Sequence, residues 1–196
     1  MKIVDTIQDS FQEYEGYHSL VLFCHGCNLA CRGCYNYDAI TSGQSIGDAE
    51  AVIEAQITPL HEAVVFLGGE PTLWHQSLLE AAKMAQTMNL KVKVFTNGLF
   101  PTAVESLLNE RVVNFFSVDL KCIENASEVL GVDITDTYYL TTVAKTVNLI
   151  RNARVGVELR TTVFDHIGDV DAIKAYASKR FFGVEHIFQP EFQINA

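Results

Sequence analysis

Six apolar runs, residues 18–24, 63–67, 91–96, 113–120, 155–163 and 184–189, recur along the chain. They are dense in Val, Leu, Ile and Phe with little polar alternation, the pattern of strands buried on both faces of a parallel sheet. Between them the apolar positions return at helical spacing. Segment 46–60 carries Ala49, Val52, Ile53 and Ile57, with Asp48 and Glu50 near its start, where carboxylates favour a helix N-terminus. Segment 76–88 carries Leu78, Leu79, Ala82 and Ala85, and segment 101–109 opens on Pro101 at a plausible first helical position. Segments 137–152 and 170–180 complete the set. Repeated β–α units predict an α/β fold whose mostly parallel sheet is joined by right-handed crossovers. Six strands are too few for a full eight-stranded barrel. The reading is therefore an open, partial (β/α)6 barrel in one domain over residues 1–196, with a flat doubly wound sheet as the alternative.

The polar and glycine-rich segments follow the strands. Four cysteines come after the first apolar run, Gly68-Gly69-Glu70-Pro71 after the second and Thr96-Asn97-Gly98 after the third. Asp119-Leu120-Lys121 ends the fourth, and Arg160 lies near the end of the fifth. In parallel α/β folds the C-terminal strand ends share one face and build the site there. Residues scattered over a hundred positions are thus expected to converge on one cavity.

Composition narrows the class. The formal net charge of −10 disfavours a large nucleic-acid surface, and Lys174, Lys179 and Arg180 read as a solvated helix face. No apolar run approaches the ~20 residues that span a bilayer, and the N-terminal segment lacks an apolar signal core. The expectation is a cytoplasmic protein without a membrane partner.

Cys24, Cys27, Cys31 and Cys34 fall within eleven residues. Clustered cysteines in a reducing compartment read as a metal site rather than a disulfide framework. Taken together they could form a four-cysteine zinc knuckle or a closed four-thiolate cluster. Three residues between the two pairs is cramped for zinc, whose CxxC pairs usually sit on separated elements. The last three, spaced C-x3-C-x2-C, would instead hold a [4Fe-4S] cluster with one iron lacking a protein ligand, and an open iron can do chemistry. Cys24 then reads as a small buried residue ending the strand, as does Cys122 elsewhere. Paired glycines at 68–69 let backbone approach a ligand, and carbonyls with a carboxylate can grip an ammonium group.

With these motifs in order, residues 14–189 resemble the radical S-adenosylmethionine (SAM) superfamily. Gly26-Cys27-Asn28-Leu29, Gly33-Cys34-Tyr35-Asn36, Thr96-Asn97-Gly98, Asp119-Leu120-Lys121 and Glu158-Leu159-Arg160-Thr161-Thr162-Val163 resemble, more narrowly, the activating enzymes of glycyl radical enzymes, nearest those of anaerobic ribonucleotide reductase. The resemblance implies that Cys27, Cys31 and Cys34 ligate one [4Fe-4S] cluster whose fourth iron is chelated by SAM. It implies reductive cleavage of SAM to a 5′-deoxyadenosyl radical, which takes a hydrogen from a glycine Cα on the partner. Gly68, Gly69 and Glu70 would hold the methionyl ammonium. Asn97, Asp119, Lys121 and Arg160 would fix the methionyl carboxylate, the ribose and the entering glycine loop, with Asp119, Lys121 and Arg160 closest to the chemistry. The implied partners are a glycyl radical enzyme and a flavodoxin- or ferredoxin-type electron donor. A radical SAM enzyme acting on a small molecule, a peptide or RNA is the first alternative, and a zinc or electron-transfer module the second.

Three positions depart from that pattern. Gly33 stands where many relatives carry an aromatic residue, with Tyr35 after the last cysteine. Phe95 stands before Thr-Asn-Gly where some activating enzymes carry an acidic residue for a monovalent cation, so such a cation is not expected. Gln189 ends the last strand where the branch often has histidine.

Overall fold

The computed structural model describes residues 1–164 and 169–190. Eight strands form one open sheet in the order β3-β1-β2-β4-β5-β6-β7-β8. The six runs read from the sequence are β2 (Ser19–Cys24), β4 (Ala63–Gly68), β5 (Lys91–Thr96), β6 (Phe115–Asp119), β7 (Gly156–Val163) and β8 (Glu185–Pro190). They pair in parallel throughout, in that order. The partial barrel is therefore present, but larger by two strands at one edge. There β1 (Lys2–Ser10) runs antiparallel to β2, and the two-residue β3 (Gly47–Asp48) runs antiparallel to β1. In β1 only Ile3 and the terminal Ser10 are buried, so this edge strand carries no apolar run that would announce it.

Alternate strand residues face opposite ways. Leu20, Leu22, Cys24, Val64, Phe66, Val92, Val94, Phe116, Val118 and Leu159 pack with the helices in the main core. Val21, Ala63 and Val65 point into the hollow of the sheet, where Tyr14 joins them and Phe23, Leu67, Phe95 and Phe115 pack at the margin. Tyr14 and Tyr17 come from the β1–β2 connection, which folds across the hollow and plugs its lower end; the Tyr14 ring lies 4.6 Å from Tyr17 and 5.7 Å from Phe115.

Five helices follow the sequence pattern: α2 (Ala49–Gln56), shorter than the 46–60 segment, α3 (His75–Thr87), α4 (Pro101–Asn109), α6 (Asp136–Asn152) and α7 (Val170–Arg180). Thr135 caps α6 through the Tyr138 amide, and Asp169 caps α7 through Asp171 and Ala172. Two short helices escape the pattern, α1 (Tyr37–Ser42) and α5 (Ala126–Leu130). At six and five residues they are too brief for a helical period. At the start of α5, Asp136, the first residue of α6, accepts from the Ala126 and Asn125 amides at 2.6 and 3.2 Å.

Among the described residues no helix is long and apolar enough to cross a membrane. At the N-terminal strand ends, Tyr17, Thr58, His61, Asn89 and Asn114 border an open cavity of about 1110 Å³. Asp9, His18 and His61 meet at that end, but their bonding leaves no metal site. The Thr58 amide donates to His61 Nδ1 at 2.9 Å, so the proton sits on Nε2, which donates to the Gln8 carbonyl at 2.7 Å. His18 faces acceptors on both ring nitrogens, the Leu60 carbonyl at 3.1 Å and Asp9 at 2.7 Å. The three residues lock the hairpin to the lead-in of β4.

Candidate functional site

The cysteine segment, residues 25–36, bridges β2 and α1. All five cysteines are free thiols. Cys24 closes β2 opposite Gly68 and is fully buried on the helix side, away from the loop's open side. Cys122 is likewise buried in the main core. Cys27, Cys31 and Cys34 are only partly buried. Two buried cysteines, Cys24 and Cys122, thus stand apart from three that are partly exposed.

Main-chain bonds hold this loop on every side. His25 donates to the Lys2 carbonyl at 2.9 Å and Gly26 to Ile40 at 2.8 Å. Ala30 and Arg32 donate to the Leu130 and Val129 carbonyls at the end of α5, both at 3.0 Å. A Cβ on Gly131 would stand 2.1 Å from the Ala30 oxygen, so that helix end can press on the loop only as glycine. Trp74 donates from Nε1 to the His25 carbonyl at 2.8 Å. α5 and Trp74 are supports that strand-end reading missed; the tryptophan, three residues past Glu70-Pro71, was the one available signal.

The Gly68-Gly69 pair also makes a close approach within the protein itself. Gly69 donates to the Cys24 carbonyl and Glu70 to the Gly26 carbonyl, each at 2.9 Å. A Cβ on Gly69 would fall 1.9 Å from the Gly26 oxygen. The glycines let the β4 tip touch the cysteine loop's own backbone, fusing two segments into one shelf. Among the described residues the Gly69 carbonyl accepts no hydrogen bond.

Glu70 turns inward and is 1% exposed. Its carboxylate accepts from the Thr72 amide at 3.0 Å, the Thr72 hydroxyl, the Thr96 hydroxyl at 2.8 Å and the Asn97 amide at 2.7 Å. Burial pushes this carboxyl up, against the pull of those donors. Asn97, 4% exposed, carries the brace onward: its Nδ2 donates to Asn28 Oδ1 at 2.8 Å and its Oδ1 accepts from Leu99 at 3.0 Å. The second and third strand-end motifs are thus tied to each other and to the cysteine loop.

Asp119 and Lys121 form an ion pair at 2.8 Å with side chains 32% and 29% exposed. Buried Tyr139 accepts from the Lys121 amide at 2.8 Å and fixes the turn. Burial opposes the Lys121 charge, yet Asp119 and the Cys31 thiol hold its pKa above the ordinary lysine range. Arg160, the register partner of Asp119 on β7, is 8% exposed. Its Nε donates to Glu158 at 2.8 Å and its guanidinium lies 4.8 Å from the Phe95 ring centre. Phe95 therefore carries a side-chain cation on its face. Gln189, in register with Thr162 on the edge strand β8, is half-buried.

The donor set fits an iron–sulfur cluster. Burial pushes the Cys27 thiol up to about 11 and raises Cys31 as well. Thiols so placed need a cationic metal to lose their protons. The Leu29 amide points at Cys27 Sγ from 3.4 Å, a donor suited to a cluster-bound sulfur.

Comparison with known proteins agrees with this geometry. A Methanocaldococcus jannaschii protein described as a "Putative glycyl-radical enzyme activating enzyme" is 27% identical over 166 residues, 84% of this chain and 69% of that protein. The 7-carboxy-7-deazaguanine synthase of Hyperthermus butylicus is 33% identical over 91 residues, 45% of this chain and 38% of its own length. Among solved structures, a radical SAM methyltransferase from Sphaerobacter thermophilus superposes with TM-score 0.66 at 18% identity, covering 90% of this chain and 56% of that one. TYW1 with a lysine-pyruvate adduct gives 0.64 at 13% identity, covering 95% and 70%. The protein anSMEcpe with bound AdoMet and a Kp18Cys peptide gives 0.63 at 18%, covering 89% and 51%. The radical SAM superfamily profile matches residues 21–177, from within β2 to within α7, and the chain belongs to that superfamily.

Proposed function

We propose that this protein is a glycyl radical enzyme activase whose partner is anaerobic ribonucleotide reductase. The observation that carries the reading is the shelf made by the cysteine loop, the β4 tip and the Thr-Asn-Gly turn, which the Glu70 and Asn97 hydrogen bonds tie together. Cys27, Cys31 and Cys34 would hold the [4Fe-4S] cluster, which when bound supplies the electron that cleaves SAM and so yields the hydrogen-abstracting 5′-deoxyadenosyl radical. The protein's own part is positioning. The Gly69 carbonyl is an acceptor suited to the methionyl ammonium, with Gly68 and Glu70 holding it in place. Asn97 and Asp119 would orient the methionyl carboxylate and the ribose. Lys121 and Arg160 would meet the entering glycine loop. A flavodoxin- or ferredoxin-type protein of the cytoplasm would deliver the electron. The similarity to the archaeal activating-enzyme relative supports the choice of substrate class.

The test is anaerobic incubation of the reconstituted, reduced protein with SAM and the large subunit of an anaerobic ribonucleotide reductase. A glycyl radical doublet in the EPR spectrum of the partner, with methionine and 5′-deoxyadenosine released, is the expected result. SAM cleavage without any protein radical across glycyl radical enzymes would overturn the activase reading.

A further inference from the structure

Behind the Asp119–Lys121 pair, a chain of hydrogen bonds runs from the edge strand β8 to the turn that carries the pair. The main chain of that turn is held from two sides. On one, the Leu120 amide donates to the Arg160 carbonyl at 2.8 Å, extending the β6–β7 ladder, and Tyr139 takes the Lys121 amide. On the other, the Leu120 carbonyl accepts from the Thr161 hydroxyl at 2.6 Å. A continuing parallel ladder would offer that carbonyl the Thr162 amide. A side chain thus replaces a rung where β6 leaves the sheet. Leu120 is fully buried and Thr161 is 1% exposed, so water does not compete for the bond. Asp119 and Lys121 flank Leu120, and its placement sets where both side chains start.

Thr161 is itself held. Its oxygen lies 2.8 Å from His186 Nε2 on β8, whose main chain is in register with Leu159. The hydroxyl has one proton, and the Leu120 carbonyl can only accept. That proton is committed to Leu120, so Nε2 must donate to Thr161. The tautomer follows: in the neutral ring the proton sits on Nε2 and Nδ1 keeps its lone pair. Phe188 packs 4.1 Å from the ring and limits its tilt. The chain therefore has one direction, from His186 to Thr161 to Leu120.

We infer that His186 is a positioning residue for SAM: acting through Thr161, it holds the Leu120 carbonyl and with it the Asp119 carboxylate. The role rests on the activase reading, in which Asp119 orients SAM, and adds to it a residue two strands away.

Reconstituted protein with an oxidised cluster is titrated with SAM by calorimetry, so that no turnover occurs. Thr161→Val and His186→Leu each remove a link and should weaken SAM binding about tenfold. Thr161→Ser keeps the hydroxyl and His186→Gln keeps an N–H donor, and both should stay within about twofold of wild type. A role confined to stability would lower the urea midpoint of the first two variants and leave the SAM affinity of the folded protein unchanged. In turnover, KM for SAM should rise more than kcat falls. The ¹⁵N spectrum of the wild-type protein at neutral pH needs no variant to fold. It should show a pyrrole-type Nε2 and a pyridine-type Nδ1 for His186. The reverse tautomer, unchanged SAM affinity in both Thr161→Val and His186→Leu, or an equal loss in Thr161→Ser and His186→Gln would overturn the inference. If wild-type protein cleaves SAM but raises no doublet on the partner, the activase reading fails, and the SAM titrations still judge His186. If the doublet forms and the variants bind SAM as wild type does, only the role of His186 fails.

Discussion

Cysteines of one loop have two fates, decided by which way each side chain leaves the backbone. Cys24 still belongs to β2 and follows its alternation into the core, while Cys27, Cys31 and Cys34 lie past the strand end. Replacing any of the latter three by alanine should abolish the iron–sulfur absorbance of the reconstituted protein. Cys24→Ala should retain about four irons per chain and lose only about 1 kcal/mol of stability; iron and sulfide analysis with urea unfolding measures both. Glu70 is a second case. Each of its oxygens is already spoken for, so Glu70→Gln would turn an NH2 group toward the Asn97 amide or the Thr72 donors. The buried mismatch should cost about 1–3 kcal/mol, read as a lower urea midpoint. Unchanged stability would mean that the brace is not what holds the shelf.

Short elements, not the long ones, shape the cysteine loop. α5 supplies two carbonyl acceptors to it, yet its own first amides depend on Asp136 from the next helix. Asp136→Ala should therefore act at a distance. Losing the cap is expected to cost about 1–2 kcal/mol and to speed hydrogen exchange of the Ala30 and Arg32 amides, which bond to α5. Exchange confined to α5 itself would show that the loop does not lean on it. The β1–β2 hairpin has a similar indirect effect, since its connection brings Tyr14 and Glu13 to the hollow while its strand carries the Lys2 carbonyl that receives His25.

For the molecule as a whole, acid is the informative variable. His186 on β8 packs 4.1 Å from the Phe188 ring and meets Thr161 at 2.8 Å. Burial lowers its pKa from 6.5 to about 4. Between those values the unfolded chain binds the proton and the folded chain does not, so stability is complete at neutral pH and falls as the pH drops from about 6.5 toward 4. Because the ring is only half-buried, the loss should be about 1–2 kcal/mol after screening. His186→Gln should flatten that limb of a urea-midpoint against pH curve; an unaltered limb would assign the acid sensitivity to other groups.

The linear order of residues determined the parallel sheet, its main helices and the identity of the strand-end motifs. Buried parallel strands need continuous apolar runs, and a metal loop needs its thiols at close spacing, so both leave local marks. Tertiary structure alone decided that β1 and β3 extend the sheet, because an edge strand faces water and shows no such run. It alone turned Gly68 and Gly69 toward the cysteine backbone, closed Glu70 inward and gathered Lys93, Glu158 and Arg160 around Phe95. Those arrangements depend on register between strands far apart in the chain, and register is set by packing, which no stretch of sequence carries by itself.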